Sequence, residues 1–488
     1  MAAEIDLAKL KLEKDEPAKE EPKKTEAESK DAGAEPKEAK DEPAPKDGAA
    51  KDESKDESKE VKEASSQSGL VENDYEVEVK LADQQADPNS PLYSVKSFKE
   101  LGLSPELLKG IVMMRFNKPS KIQERALPLL LANPPRNIIA QSQSGTGKTA
   151  AFVLNMLSRL VLTVPTPQAI CLCPSRELAR QNLDVVQTMG RYMPGLTSEL
   201  AVPGSLEGKA PIQAQILVGT PGRINDLVRR NRLDLSKVQV LVLDEADNML
   251  ESSGMGPGSL RIRKAVPPSA QMVLFSATFP DEVTEFAKKF APEANELRLK
   301  HTDLNVDAIK QIYMDCENDD DKFDVLKHLY GLLTIGSSII FVARKDTAEK
   351  LAHRMNEFGH QVSLLHGSQD GAERDKRIDD FRSGATKVLI TTNVLARGID
   401  VPTVSMVVNY DLPVTGDGKP DPSTYLHRIG RTGRFGQTGV AVSFVHSPES
   451  FEVLSSIKEY FGPGMKLTKL PTDDWEKVEK FVKKSIRK

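Results

Sequence analysis

A chain of 488 residues is too long for one hydrophobic core, and two or three domains are expected. With 39% hydrophobic residues, no apolar run of about 18 residues and three cysteines, it excludes a transmembrane helix and a disulfide framework; Cys171 and Cys173 lack metal-ligand spacing. The net charge of −5 hides a division: residues 11–60 hold 18 acidic and 12 lysine side chains, a balance of −6, which leaves +1 for the remainder and no global field that announces nucleic acid.

The first residues, Met1-Ala-Ala-Glu-Ile-Asp6, are acidic and lack the apolar core of a signal peptide, so a reducing compartment is expected. Residues 13–60 contain no Val, Ile, Leu, Met, Phe, Tyr, Trp or Cys, and Lys-Asp-Glu-Ser recurs at 51–54 and 55–58. Such a segment cannot bury enough surface to offset its ordering entropy, and residues 1–70 are expected to be a disordered charged tail. Over 71–97, Tyr75, Val77, Val79 and Leu81 alternate with polar residues, which suggests a short strand or a docking, regulatory segment. The turn cluster Asp87-Pro-Asn-Ser-Pro91 leads into the folded body.

From Phe98 onward, short apolar runs alternate with helical patterns. Asn137–Ala140, Ala169–Cys173, Ile216–Val218, Val238–Leu243 and Met272–Phe275 read as parallel strands covered on both faces. After the polar connector at 301–306 a second series begins: Ile312–Met314, Ser338–Val342, Val362–Leu365, Val388–Thr391, Met406–Asn409 and Gly439–Phe444. The expected fold is therefore α/β, with two tandem parallel-sheet domains over 98–300 and 307–488. Trp475, Val478 and Phe481 share one face of a closing helix, expected to pack on the second domain.

Ser142-Gln-Ser-Gly-Thr-Gly-Lys-Thr149 lies between a strand and a helical pattern, the context of a phosphate loop. Ser142 stands where such loops usually begin with glycine. Gly145 and Gly147 allow backbone N–H groups to converge on phosphate, Lys148 would reach the β- and γ-phosphates, and Thr149 would offer a hydroxyl to Mg²⁺. Val240-Leu-Val-Leu-Asp-Glu-Ala-Asp247 is an apolar strand ending in carboxylates, where a ligand crevice opens. Asp244 would hold Mg²⁺, directly or through water, and Glu245 would act as general base on the attacking water.

Asp244-Glu-Ala-Asp247, Ser276-Ala-Thr278, Pro174-Ser-Arg-Glu-Leu-Ala179, Thr220-Pro-Gly-Arg223, Thr392-Asn-Val-Leu-Ala-Arg-Gly-Ile-Asp400 and His427-Arg-Ile-Gly-Arg-Thr-Gly-Arg434 complete an ordered set. Over about residues 91–488 the chain resembles the DEAD-box RNA helicases of superfamily 2. The resemblance implies two RecA-like domains and RNA-stimulated hydrolysis of ATP with Mg²⁺. It implies a nucleotide site of Ser144, Gly145, Thr146, Gly147, Lys148 and Thr149, with Gly398, and Asp400 on the ribose. Phe98 would stack on adenine, or be an ordinary core aromatic, and Gln123 would pair with the adenine edge. Arg431 and Arg434 would be arginine fingers that act when the domains close. Asp247, Ser276, Thr278 and His427 would couple the domains, and Pro174, Arg176, Gly204, Thr220, Arg223, Arg344, Arg374 and Thr392 would hold RNA.

With few positive charges among those residues, backbone and hydroxyl groups must do much of the phosphate holding, and little base preference is expected. Pro203-Gly204 replaces the family's Gly-Gly, and Gly371 replaces the glutamine of its Gln-x-x-Arg stretch, leaving Arg374. The serine-rich phosphate loop, Asp87–Ser94, an inserted loop at Thr415–Pro422 and Pro471-Thr-Asp-Asp-Trp475 most resemble the fungal mRNA-export branch. That branch implies remodelling of mRNA–protein particles in mRNA export, and a role in translation termination. It implies an export-mediator activator with inositol hexakisphosphate and a β-propeller nucleoporin as partners. It also implies a monomer without membrane insertion, nuclear and cytoplasmic, enriched at the cytoplasmic face of the nuclear pore. A nucleotide-gated RNA clamp with negligible turnover competes with this reading, and Glu245, Arg431 and Arg434 argue against it. A processive DNA translocase also competes, and the adenine stretch and Asp-Glu-Ala-Asp argue against it.

Overall fold

The computed structural model describes residues 77–81, 94–142, 145–251, 254–299, 309–332, 336–393, 404–433 and 438–486. The expected tail over 1–70, Tyr75 and the connector at 301–306 lie outside the described residues.

Among the described residues, the first sheet has eight strands. They are β1 (Val77–Lys80), β2 (Ile138–Gln141), β3 (Ala169–Leu172), β4 (Ser198–Ala201), β5 (Ile216–Gly219), β6 (Val240–Leu243), β7 (Gln271–Ser276) and β8 (Asn295–Leu299). Their spatial order is β1-β8-β2-β7-β6-β3-β5-β4. The alternating segment at 77–81 is a strand, and it adds antiparallel to β8; the pairings from β8 across to β4 are parallel. Helices α1 (Pro105–Met113), α2 (Lys121–Leu130), α3 (Lys148–Ser158) and α4 (Arg176–Met189) pack with one face of the sheet. Helices α5 (Pro221–Arg229), α6 (Ala246–Glu251), α7 (Met255–Ala265) and α8 (Asp281–Phe290) pack with the other.

The apolar runs follow from this arrangement. Successive strand residues point to opposite faces, so Val240 and Val242 join one core and Leu241 and Leu243 the other. All four are fully buried.

The second sheet has seven strands among the described residues: β9 (Ile309–Asp315), β10 (Ser337–Phe341), β11 (Val362–Leu365), β12 (Val388–Thr391), β13 (Val404–Asn409), β14 (Gly439–Val445) and β15 (Leu467–Leu470). They run parallel in the order β11-β12-β10-β13-β14-β9-β15. The helices are α9 (Asp319–Leu332), α10 (Lys345–Glu357), α11 (Gly371–Arg382), α12 (Pro422–Ile429), α13 (Pro448–Phe461) and α14 (Trp475–Ile486). The last of these packs as expected. Val478 and Val482 are fully buried in the second core, Trp475 and Phe481 pack against it, and Trp475 stacks on His328 at 5.0 Å.

Three strands have no counterpart in the sequence reading. β4 and β15 are edge strands and β8 lies one place in from an edge. Each carries polar or charged residues in place of a continuous apolar run, because only one face or neither is fully covered. The expected strand at Val238 begins two residues later, since the Val238 N–H turns back to the Leu235 carbonyl at 3.1 Å.

At β5, a Cβ on Gly219 would lie 2.0 Å from the Ala201 carbonyl oxygen of β4. That contact is backbone and cannot swing away. Gly219→Ala is expected to force the two strands apart and lower the unfolding free energy by about 1–3 kcal/mol. The measurement is the urea midpoint, and an unchanged midpoint would mean that the edge strand contributes little.

Candidate nucleotide and nucleic-acid site

The sheet order brings three chain-distant strand ends together. β2, β7 and β6 are neighbours, so the stretches that follow them open at one edge of the sheet. The Ser142 N–H donates to the Ser276 carbonyl at 2.9 Å, which ties the start of the glycine loop to β7. Gly145 and Gly147 adopt φ of 81° and 93°, a conformation that favours glycine, and Gly147 caps α3 so that Lys148 opens the helix. Ser142, the departure from the usual loop, places its hydroxyl 2.6 Å from that of Thr146, both buried.

α2 braces this loop from outside. Ser120 Oγ donates to the Thr146 carbonyl at 2.6 Å, and Gln123 Nε2 donates to the Gly147 carbonyl at 2.9 Å. Gln123 Oε1 accepts the Ser120 N–H at 2.9 Å. Both amide atoms of the expected adenine reader are therefore engaged, leaving one N–H and one lone pair for a base. Phe98, the expected stacking face, is 6% exposed and belongs to the first core.

At the end of β6, Asp244, Glu245 and Asp247 are all buried. Lys148 Nζ lies 3.6 Å from Asp244 Oδ1. Burial pushes the Asp244 carboxyl up, and Lys148 opposes it. Glu245 differs in sign. Burial would raise it, but Lys148, His427 and Arg431 outweigh burial and hold it below the usual carboxylate range. Glu245 also has φ of 55°, the left-handed region, where a non-glycine residue is strained. This turn carries the chain from β6 into α6.

Asp247 is the meeting point of the two halves. Its Oδ2 accepts the Thr278 N–H at 3.1 Å and the Thr278 hydroxyl at 2.9 Å, and lies 3.3 Å from His427 Nε2. Ser276 Oγ accepts the Asp247 N–H at 3.1 Å and donates to the Thr278 carbonyl at 2.9 Å. The four expected coupling residues thus form one network. His427 sits on α12, whose start is fixed by Asp421 accepting the Thr424 N–H at 2.9 Å with Pro422 in the first turn. Arg431 is buried, and its Nε donates to the His427 carbonyl at 2.9 Å. Ser144, Gly398, Asp400 and Arg434 lie outside the described residues.

Arg428, to which the sequence reading gave no role, anchors this helix. It is buried, donating to Asn393 Oδ1 at 3.1 Å, Asn409 Oδ1 at 3.1 Å and the Asp411 carbonyl at 2.6 Å. Burial pushes its guanidinium down to about 10. The only signal was its place in the stretch His427–Arg434, where it stands between His427 and Ile429 and nothing local separates a buried anchor from a surface charge.

Six of the eight expected RNA residues, Pro174, Arg176, Gly204, Thr220, Arg223 and Arg374, line one cavity of about 1270 Å³. Thr415, Gly416 and Asp421 of the inserted loop line it too. Arg344 and Thr392 do not line it; Arg344 is exposed at the start of α10. Four arginines line the cavity, and the three expected to hold RNA, Arg176, Arg223 and Arg374, are internally paired. Arg176 Nη2 lies 2.8 Å from Asp375 Oδ2, and Arg374 Nη2 lies 2.6 Å from Glu177 Oε1, both across the interface of α4 and α11. Arg180 adds Asp379 at 2.8 Å on the same interface. Arg223 binds Asp226 at 2.8 Å and the Leu206 carbonyl at 3.0 Å. A Cβ on Gly371 would sit 2.8 Å from the Arg176 guanidinium carbon, so a larger residue there would require that side chain to shift.

Among the described residues, no three His, Cys, Asp or Glu side chains converge as a metal cage. Asp244 Oδ1 is buried without a hydrogen-bond partner beside the glycine turn. A carboxylate oxygen of this kind suits a hard cation whose remaining ligands are a hydroxyl, phosphate and water, and Thr149 follows Lys148 in the first turn of α3.

The DEAD/DEAH box helicase model matches residues 120–286, and the helicase conserved C-terminal domain model matches 321–436. An ATP-dependent RNA helicase DBP5 of Candida albicans is 63% identical over 418 residues, covering 86% of this chain and 77% of that protein. Saccharomyces cerevisiae Dbp5 bound to RNA and ADP BeF3 is 62% identical, covers 80% of this chain and 100% of that one, and superposes with a TM-score of 0.78. A variant of the same yeast protein bound to Nup159, Gle1, IP6 and ADP is 60% identical, covers 79% and 100% of the two chains, and has a TM-score of 0.60.

Because Gln123 braces the phosphate loop, its loss should be felt without any nucleotide. Gln123→Ala is expected to lower the unfolding free energy of the nucleotide-free protein by about 1–3 kcal/mol, the cost of leaving buried groups unpaired. A variant that loses nucleotide affinity while keeping its nucleotide-free stability would assign Gln123 to the base alone.

Proposed function

The chain belongs to the DEAD-box ATP-dependent RNA helicases, and from that premise we propose that it remodels mRNA–protein particles during export at the nuclear pore. The observation that carries its chemistry is the buried cluster of Lys148, Asp244 and Glu245 facing His427 and Arg431 of the other half. The turn from Gly145 to Lys148 directs backbone N–H groups and one ammonium at the ATP phosphates. Mg²⁺ held by Asp244 and Thr149 would neutralise phosphate charge when bound. Glu245, kept ionised by its cationic neighbours, takes the proton of the attacking water. Arg431, with Arg434, stabilises the charge that develops on the phosphoryl group. Asp247 transmits closure, since its carboxylate serves Thr278 and His427 at once.

RNA lies in the cavity lined from both halves. Its phosphates compete with Asp375 for Arg176 and with Glu177 for Arg374, so the backbone is gripped and the bases are not read. The relative bound to Nup159, Gle1, IP6 and ADP supports the same partners here. An export-mediator activator with inositol hexakisphosphate and a nucleoporin follow, with enrichment at the pore's cytoplasmic face.

Glu245→Gln is expected to bind ATP as the parent does and to hydrolyse it at least ~10²-fold more slowly. Equal turnover would remove Glu245 from the reaction. Coupling is tested separately. RNA affinity with and without a non-hydrolysable ATP analogue, and analogue affinity with and without RNA, should change by the same factor, worth about 1–3 kcal/mol. Equal RNA affinity in both conditions would rule out closure as the link, and coupling without RNA-stimulated turnover would leave a nucleotide-gated clamp.

A further inference from the structure

Asn182 is a polar residue on the apolar face of α4, among Leu178, Leu183 and Val186, and it is fully buried. Its Nδ2 donates to Asp244 Oδ2 at 3.0 Å. The same nitrogen lies 3.4 Å from Cys173 Sγ and 3.9 Å from Cys171 Sγ. An amide nitrogen carries two N–H bonds. One reaches the carboxylate, and the other points to thiols that are weak acceptors and leave the first bond unchallenged.

The consequence falls on Asp244. Its Oδ2 is held by Asn182, and its Oδ1 is left facing Lys148 Nζ at 3.6 Å without a hydrogen-bond partner. A carboxylate gripped at one oxygen cannot rotate about its last torsion, so the other oxygen stays aimed at the phosphate loop. A neutral donor suits the task. A cation in its place would fix the carboxylate equally well but would neutralise it.

We propose that Asn182 is a positioning residue that orients Asp244 toward the divalent cation of the nucleotide. The inference rests on the reading of Asp244 as a metal-holding carboxylate. Hydrogen-bonded partners of metal ligands typically change metal affinity by ~10–100-fold when lost.

The experiment is equilibrium binding of a fluorescent ADP analogue to the full chain, titrated with Mg²⁺ and repeated in EDTA. Asn182→Leu keeps the heavy-atom count and branching and removes the donor, though its methyl groups are bulkier; Asn182→Ala adds no atoms and cannot overpack. Both are expected to raise the Mg²⁺ concentration for half-saturation by about tenfold or more. Affinity in EDTA should stay within about twofold of the parent. A folded variant with the parent's Mg²⁺ dependence, or with equal losses in Mg²⁺ and in EDTA, would reduce Asn182 to packing. Should the leucine variant fail to fold, the alanine variant decides. Asp244→Asn separates the two readings: if it loses the Mg²⁺ effect while the Asn182 variants keep it, the positioning role alone fails. If it keeps the effect, the assignment of Asp244 fails and the role of Asn182 with it.

Discussion

Burying Asp244, Glu245 and Asp247 at the end of a single strand costs several kcal/mol per ion unless each finds compensation. Most of the surrounding architecture can be understood as that compensation. Lys148 comes from the helix after the glycine loop, Asn182 from α4, and Thr278 from the stretch after β7. His427 and Arg431 come from the second half. The carboxylates are thereby pushed apart in character. Asp244 is raised and Glu245 lowered, although they are adjacent in the chain. Two neighbouring carboxylates with different environments can take different roles, one toward a cation and one toward a proton.

The second half supplies charge only when it is docked. Its contribution depends on α12, which is held by Arg428 and capped at the end of the inserted loop. The interface of α4 and α11 adds ion pairs from Arg176, Arg180 and Arg374. The Arg176 and Arg180 pairs are partly exposed and individually weak, and salt screens them, whereas Glu177, the partner of Arg374, is buried. Their significance lies in exchange: at Arg176 an RNA phosphate can replace Asp375, whose carboxylate reaches solvent, at little net electrostatic cost, while Glu177 is buried and holds Arg374 more firmly. Closure and RNA binding therefore draw on the same groups, which makes their linkage a property of the interface.

The phosphate loop, the carboxylate strand and the two runs of parallel strands were legible in the sequence because each is local. A strand, a glycine turn and a helix are contiguous, and a strand buried on both faces must be apolar throughout. The ordered stretches then carried the resemblance to DEAD-box helicases, which the family models and the yeast relatives bear out. Two edge strands, β4 and β15, escaped notice because polar residues interrupt their pattern, while β1 and β11 kept an alternating or apolar run.

By itself, then, the sequence determined the strands buried on both faces, the helices between them and the residue types that can do phosphate chemistry, but not β4, β8 and β15. Only the tertiary structure decided what those residues touch. The adjacency of β2, β7 and β6 comes from crossovers that no local pattern encodes. Arg176 and Asp375 are 199 positions apart, and nothing in either neighbourhood announces the pair. Gln123 as a brace, Glu245 in a left-handed turn and Asn182 beneath Asp244 share that origin. Hydrogen bonds and desolvation act over a few ångströms in space, whatever the separation along the chain.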